Sequence, residues 1–418
     1  MSTASDAHEG AEAPTLLDTL ARAPAAAALV VAGLGRADRK ALRLVHSQLR
    51  DAVGEETTTL TADFGTSNAR PLTASRWPRL EELTIVSPNL AILEALDSET
   101  WGNLDTLLLD CERVNRYGEA ISVHLDVLYA RALAAALRRM PALRALELHG
   151  VLLPEASAAA LFRASSAEDV PRLRSLTAWS ACYAPRAVRA LAATGWRLEE
   201  LNLPGNSLGA AGIAALVAAP AFAIRRLAVS SCDLDAASLH TLANASWPLE
   251  ELDLSHNDFS DAAAGPALAA LSRHRCLREL SIGDCGLTAA GFNALVEATW
   301  PALSSLLAFT RVPANRGPFG AAAFAGFPAL EELWLWGVEL GEAGARLLAS
   351  RRWPRLRKLD LHHTQLGAAG VAALARGEWP ALRFLDVSNN GVSEQLTLED
   401  ARRWAPALEK LTAYDDHR

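Results

Sequence analysis

Apolar residues recur through most of this chain in one fixed frame, Leu-x-x-Leu-x-Leu-x-x-Asn/Cys-x-Leu. The segment LEELNLPGNSL, which begins at Leu198, shows the frame most clearly, and three copies follow from Ile224, Leu249 and Leu277. Further copies begin at Leu80, Leu104, Leu143, Leu173, Leu303, Leu330, Leu356, Leu382 and Leu408. Most frames start 24 to 28 residues after the one before, so the sequence predicts about thirteen stacked repeats over residues 58–418.

Each frame predicts a short strand followed by a helix. Leu201 and Leu203 alternate with polar residues, which is the period of a strand with one buried face. The following GAAGIAALVAA has the apolar spacing of one helix face. Stacked units of this kind place strands on one wall and helices on the other, and the difference in width bends the array. The expected fold is therefore α/β, a right-handed solenoid with a parallel concave sheet and a helical convex face.

Short polar or thiol side chains occupy the ninth frame position, where they can satisfy backbone groups left open by the turn after each strand. We interpret this row as a structural ladder, formed by Asn206, Cys232, Asn257, Cys285 and Asn390.

Composition narrows the class of protein. The chain has 418 residues, which is long for one compact core but not for a stacked array. Its net charge of -8 argues against nucleic acid as a partner. Five cysteines without a Cys-x-x-Cys pair favour a reducing compartment over a disulfide scaffold or a zinc site. No signal peptide or membrane span is evident, so we expect a cytoplasmic or nuclear protein with no membrane partner.

Repeats of this length, with Asn or Cys at the ninth position, resemble the ribonuclease-inhibitor-like class of leucine-rich repeats. The first 57 residues lack the frame. We expect residues 1–14 to form a disordered tail and residues 15–57 a short all-α cap, in which ADRKALRLVHSQLRDAV resembles a degenerate F-box. That resemblance implies docking on a Skp-type adaptor and, through it, a cullin, with the contact residues Leu34, Asp38, Leu42, Val45 and Leu49. The alternative is a helical cap that only covers the open end of the solenoid.

Side chains at frame positions three, five and seven are predicted to line the concave face. From the ninth repeat onward this set is rich in aromatic and charged residues: Phe309, Trp334, Trp336, Lys358, Asp360, His362, Phe384, Asp386, Lys410 and Tyr414. Contiguous exposed aromatic side chains usually mark a recognition surface, so we predict that a protein target binds here. The alternative is that the rings only seal the end of the array. In earlier repeats the face is mostly acidic, and either steers a basic partner or is simply solvated.

No catalytic constellation emerges from the sequence. His362 and His363 are adjacent on a predicted strand, point to opposite faces and cannot share a metal ion. The segment GNSLG matches a nucleophile elbow around Ser207, but its Asn206 and Leu208 are ordinary frame residues. We therefore expect no enzyme activity, no cofactor and no metal site.

The resemblances imply the substrate-recognition subunit of a Skp/cullin/F-box ubiquitin ligase. Two alternatives remain: a leucine-rich repeat scaffold without adaptor binding, and a GTPase-activating protein of the Ran type, which the repeats also resemble.

Overall fold

A computed structural model describes residues 57–415, except for 64–71, 87, 112, 115–119, 122, 125, 153, 180–184, 311–313, 316–319 and 393–395. The predicted tail and helical cap lie outside the described residues, apart from position 57, where the description begins. The adaptor-contact candidates Leu34, Asp38, Leu42, Val45 and Leu49 also lie outside them.

A parallel sheet of fourteen strands runs through the described part of the chain, and its two end strands each have one neighbour, so the sheet is open. Its first strand, β1, precedes the first predicted frame. The strands in order are β1 (Thr59–Asp63), β2 (Glu82–Val86), β3 (Thr106–Asp110), β4 (Ala145–His149), β5 (Ser175–Ala178), β6 (Glu200–Asn202), β7 (Arg226–Ala228), β8 (Glu251–Asp253), β9 (Glu279–Ser281), β10 (Ser305–Leu307), β11 (Glu332–Trp334), β12 (Lys358–Asp360), β13 (Phe384–Asp386) and β14 (Lys410–Thr412).

Eleven α-helices of the described residues lie on the other side of the repeats, and helices of successive repeats pack side by side. They are α1 (Leu90–Leu96), α2 (Val127–Leu137), α3 (Glu155–Ala164), α4 (Pro185–Ala192), α5 (Gly209–Val217), α6 (Ala236–Ala243), α7 (Ala264–Ala270), α8 (Ala289–Glu297), α9 (Gly341–Ala349), α10 (Gly367–Leu374) and α11 (Leu398–Arg402). None of the helices in this described part is long and apolar enough to span a bilayer.

Short elements complete the structure. Two 3-10 helices cover Ala74–Arg76 and Leu271–Arg273. Three pairs of two-residue strands lie outside the main sheet: Arg113–Val114 antiparallel to Ala120–Ile121, Val123–His124 parallel to Val151–Leu152, and Ala314–Asn315 parallel to Val338–Glu339.

The frame leucines set the register of the sheet. Leu201 pairs with Leu227, and the same row continues through Leu252, Leu280 and Leu306. All five are buried, while residues on either side of them in each strand point away from the core. Burial of one leucine row against the helices gives every strand the same inner face, and the predicted α/β solenoid is confirmed.

Buried tryptophans lie between the helix of one repeat and the strand of the next. The indole N–H of Trp300 donates to the Leu295 carbonyl, that of Trp353 to Leu348 and that of Trp379 to Leu374. Each acceptor lies in the last turn of a helix, where carbonyls lack an intrahelical donor. The rings of Trp353 and Trp379 are nearly parallel, with centroids 6.5 Å apart. Each ring therefore fills the core and satisfies a helix terminus at once.

The ninth-position side chains bind backbone atoms of their own and the preceding repeat. The Asn257 amide donates to the carbonyls of Val229, Leu254 and Ser255 and accepts the N–H groups of Cys232 and Leu234. Asn390 makes the corresponding five hydrogen bonds in a later repeat. Its amide donates to the carbonyls of Leu361, Val387 and Ser388 and accepts the backbone N–H groups of Thr364 and Leu366.

The remaining ladder members make some of these hydrogen bonds. Asn206 donates to the carbonyls of Ala178, Leu203 and Pro204. The Sγ atoms of Cys232 and Cys285 lie against the carbonyls of Leu203 and Leu254, respectively. Burial raises the pKa of both thiols to about 12, so both stay protonated donors at neutral pH.

The connection between β10 and β11 departs from the strand-helix plan. Among the described residues between β10 and β11 there is no α-helix, and residues 321–326 form turns instead. Phe324 is buried, and its N–H donates to the Val296 carbonyl near the end of α8. The loop carbonyl of Gly326 accepts the backbone N–H of Trp300. The loop therefore docks on the preceding helix in the place where the next helix would lie.

Candidate functional site

The concave face is the side of the sheet that carries frame positions three, five and seven. Over β5–β10 it holds a shallow hollow of about 470 Å³. Its polar lining is formed mainly by Glu200, Asn202, Arg226, Glu251, Asp253 and Glu279. These side chains reach the surface because the alternating leucines of the same strands occupy the core. The hollow is open and polar, which suits an extended surface contact better than an enclosed small molecule.

Acidic groups dominate this hollow, although some are neutralised. Glu200 forms an ion pair with Arg226 on the neighbouring strand. Glu279 lies between the acidic side chains of other strands: burial, and then the charges of Glu251 and Glu332, raise its pKa above the ordinary value. The centre of the concave face therefore has a surplus of negative charge.

Aromatic rings form a second region over β10–β14, which we call the aromatic patch: Phe309, Trp334, Trp336, Phe384 and Tyr414. The rings of Phe309 and Trp336 are stacked, with centroids 5.0 Å apart and planes 5° apart. Trp334 and Phe384 face each other at 6.4 Å. Four of the five rings are half-buried, and Tyr414 is 50% exposed. The patch thus consists of two stacked pairs and one ring at its outer end.

Two lysines border the patch. Lys358 forms an ion pair with Glu332, with Nζ 2.6 Å from the carboxylate oxygen. Lys410 places its Nζ 5.3 Å from the centre of the Phe384 ring, within the range of a cation–π contact. The predicted site therefore combines apolar rings with cations at its rim.

Asp360, His362 and Asp386 meet at one point of the concave face. One potential ligand atom from each lies within 4.8 Å of the others. Asp360 is only 8% exposed, and its Oδ1 accepts the backbone N–H of His362 at 3.0 Å. Burial raises the pKa of Asp360 to about 6, the hydrogen bond from His362 opposes the rise, and the charge of Asp386 adds to it. We refer to these three residues as the Asp-His-Asp cluster.

All ten predicted contact residues belong to β10–β14 or to the residues directly after those strands, but they do not form one uniform surface. Tyr414, Lys358 and Lys410 are exposed, Asp360 is buried, and the rest are half-buried. The Phe309 ring lies directly over Gly283 of the preceding repeat. A Cβ atom at Gly283 would occupy the same space as the ring, so this contact requires a glycine.

Sequence reasoning missed a second aromatic contact near the other end of the sheet. The rings of His149 and Trp179 are stacked with centroids 4.8 Å apart, and Trp179 is 40% exposed. Both residues occupy frame position seven, the same position as Trp336. Reading that position through every repeat, and not only from the ninth onward, would have found them.

Comparison with known proteins agrees with this architecture. A family model described as Leucine Rich repeat matches residues 248–265 and 355–375. The ribonuclease inhibitor of Sus scrofa is 31% identical over 164 residues, which is 36% of this chain and 35% of the relative. The ribonuclease inhibitor of Mus musculus is 38% identical over 100 residues, 22% of each chain. The matches thus span about a third or less of these curated relatives.

Among solved structures, the complex of Rad7 and Elc1 in yeast contains a similar chain. It is 15% identical, with a TM-score of 0.48, and the match covers 93% of this chain and 92% of that one. The frame, the parallel sheet and the repeat-family match lead to one conclusion: the chain is a leucine-rich repeat solenoid with sequence similarity to ribonuclease inhibitors.

Proposed function

We propose that this protein is a non-enzymatic interaction module that binds a protein target on its concave face, mainly through the aromatic patch. The observation that carries the proposal is the paired stacking of Phe309 on Trp336, from neighbouring repeats, and of Trp334 on Phe384, across the intervening strand β12. Half-buried rings held in fixed positions lose little conformational freedom on binding and offer large apolar areas, as interface hot spots do.

The charge pattern adds to the proposal. The acidic hollow over β5–β10 adjoins the aromatic patch, so a target that covers both would present apolar side chains to the rings and basic side chains to Glu251 and Glu279. Opposite charges at such a surface accelerate association more than they strengthen the final complex. Complex formation should therefore become slower as the salt concentration rises.

Trp336→Ala tests the patch. A photo-crosslinking phenylalanine derivative in place of Tyr414, the exposed ring at the outer end of the patch, identifies the target while Trp336 stays intact. Binding of the purified target to wild type and variant is then measured by calorimetry. We expect the variant to bind at least roughly tenfold more weakly, or about 1.4 kcal/mol. Trp179→Ala removes an exposed tryptophan from the same frame position outside the patch and is the matched control, expected to leave target binding unchanged.

The stability of the same variants separates recognition from sealing of the array. Loss of one stacked, half-exposed ring should lower the free energy of unfolding by about 1 kcal/mol. A loss of roughly 3–5 kcal/mol, as expected for a core aromatic residue, together with unchanged target affinity, would show that the rings only seal the repeats.

We further propose that the protein is the substrate receptor of a Skp/cullin ubiquitin ligase. The support is the resemblance of ADRKALRLVHSQLRDAV to an F-box, next to a repeat array that can hold a target. A pull-down with a purified Skp-type adaptor compares the whole chain with residues 58–418. Binding that requires the first 57 residues is expected. No binding by the intact, folded chain would favour a scaffold that works without an adaptor.

A further inference from the structure

The Asp-His-Asp cluster brings metal-ligating groups together from adjacent strands. Asp360 of β12 and Asp386 of β13 are direct partners in the parallel register. His362 follows Asp360 by two residues, so its side chain points to the same face. One atom from each side chain lies within 4.8 Å of the others. Strand pairing thus brings the two carboxylates together, and the turn directly after β12 supplies His362.

The described residues supply no lysine or arginine partner to the two carboxylates of the cluster. In the described part of the chain neither Asp360 nor Asp386 forms an ion pair with lysine or arginine, and the nearby Lys358 is paired with Glu332. Asp360 is more than nine-tenths buried, and only its Oδ1 has a hydrogen-bond donor among the described residues. A nearly buried carboxylate beside a second carboxylate needs a proton or a cation, because two adjacent negative charges repel.

Backbone contacts hold the ligand groups in place. Asp386 Oδ1 accepts the Ser388 N–H at 2.9 Å and the Ser388 hydroxyl, in the same way that Asp360 accepts His362. The Asn389 side-chain amide lies 3.2 Å from His362 Nε2. With its oxygen toward the ring, this amide would accept Nε2–H and leave the Nδ1 lone pair for a metal ion. Such outer contacts fix the orientation and tautomer of metal ligands.

We propose that Asp360, His362 and Asp386 form a binding site for a divalent transition-metal ion of the zinc type on the concave face. One imidazole and two carboxylates are ligands that zinc accepts, and the open side of the sheet leaves a coordination position for water or for a group from another molecule. With bonds of ~2.1 Å, ligand atoms of a tetrahedral site lie ~3.4 Å apart, so modest side-chain rotations suffice to close the cluster.

Zinc titration of the whole, chelator-treated chain by calorimetry tests the site. Asp360→Asn and His362→Gln each remove one ligand and retain the size of the side chain. We expect each variant to lose one equivalent of bound zinc or to bind it at least roughly tenfold more weakly. Cobalt(II) in place of zinc gives a second readout, because the visible absorption of the bound ion reports its ligands.

Asp253→Asn is the matched control. Asp253 occupies the same frame position and accepts the N–H of Ser255, two residues further on, but faces Ala228 and Ser281 on the neighbouring strands. Its zinc binding should equal that of the wild type. Equal zinc stoichiometry and affinity in the wild type, Asp360→Asn and His362→Gln would overturn the proposal. If Asp360→Asn fails to fold, the zinc titration of His362→Gln still tests the proposal, because His362 is half-exposed.

Discussion

Asn257 illustrates how a single side chain can connect two repeats. Its amide group makes five hydrogen bonds to backbone atoms, two of them with N–H groups of the preceding turn. Those groups are buried and have no access to water, so they depend on the side chain for their partners. The buried polar side chains therefore constrain which residues fit the solenoid, as the leucines of its core do.

Asn257→Leu should therefore destabilise the protein. The substitution keeps the number and branching of the side-chain heavy atoms but leaves buried N–H and C=O groups unsatisfied, which costs roughly 1–3 kcal/mol. The midpoint of urea unfolding measures the effect. Asn202→Leu, the same substitution at a half-exposed position of the concave face, should change stability by less than about 0.5 kcal/mol. Equal unfolding midpoints for the two variants would contradict a structural role of the ladder.

At the scale of the secondary-structure elements, helix boundaries depend on local capping residues. Asp235 begins α6 with a capping box, in which its carboxylate accepts the Ser238 N–H at 2.9 Å while Ser238 Oγ accepts the Asp235 N–H. The Ser238 N–H and hydroxyl lower the pKa of Asp235 below its ordinary value. A carboxylate of this kind stabilises the fold above its unfolded-state pKa, and the contribution disappears as the pH falls through the folded-state pKa.

Asp235→Ala should cost about 1 kcal/mol at neutral pH. The difference from wild type should shrink as the medium is acidified through the lowered pKa of Asp235, which thermal melts across an acidic pH series can follow. Asp235→Asn is the control, because asparagine caps helices without titrating. A stability difference between wild type and Asp235→Ala that does not vary with pH would contradict the assignment.

The docked loop at residues 321–326, between β10 and β11, depends on a glycine. A Cβ at Gly326 would overlap the Ala298 carbonyl oxygen, which is backbone and cannot move independently. Gly326→Ala should therefore displace the loop from the end of α8 and lower the unfolding free energy by about 1–3 kcal/mol. Gly102→Ala, at a site with no atom within 4 Å of the added Cβ, should be nearly neutral. Similar melting temperatures for both variants would show that the loop is not docked.

Stability should vary along the array at the scale of the whole molecule. Among the described residues each strand of the main sheet pairs only with its neighbours, and β14 pairs with one strand. Leu411 in β14 is half-buried where β13 has the buried Leu385. In a solenoid such end repeats lack half of their stabilising interface.

Amide hydrogen exchange should reveal this gradient. We expect Leu411 to exchange at least roughly tenfold faster than Leu252 in the middle of the sheet, which corresponds to about 1.4 kcal/mol of local opening free energy. Bound target on the aromatic patch should slow exchange in β14 more than in β8. Uniform protection from β8 to β14 in the free protein would indicate one cooperative unit instead.

Sequence alone determined the repeating part of this structure. The third to fifth positions of the frame at Leu198 are the strand Glu200–Asn202, and the fourth-position leucines from Leu83 to Leu385 form one buried row. These features follow from local periodicity, because a residue's face on a short strand depends only on its place in the alternation. The same alternation placed Trp334 and Phe384 on the concave face.

Tertiary structure decided which side chains meet and how far they are buried. It stacked Phe309 on Trp336, brought His149 to Trp179, and buried Asp360 beside Asp386. It also replaced one expected helix with a docked loop at residues 321–326. These outcomes depend on rotamers, strand stagger and packing between residues about one repeat apart, which a periodic pattern does not contain. The frame thus specified the array, and packing specified its surface.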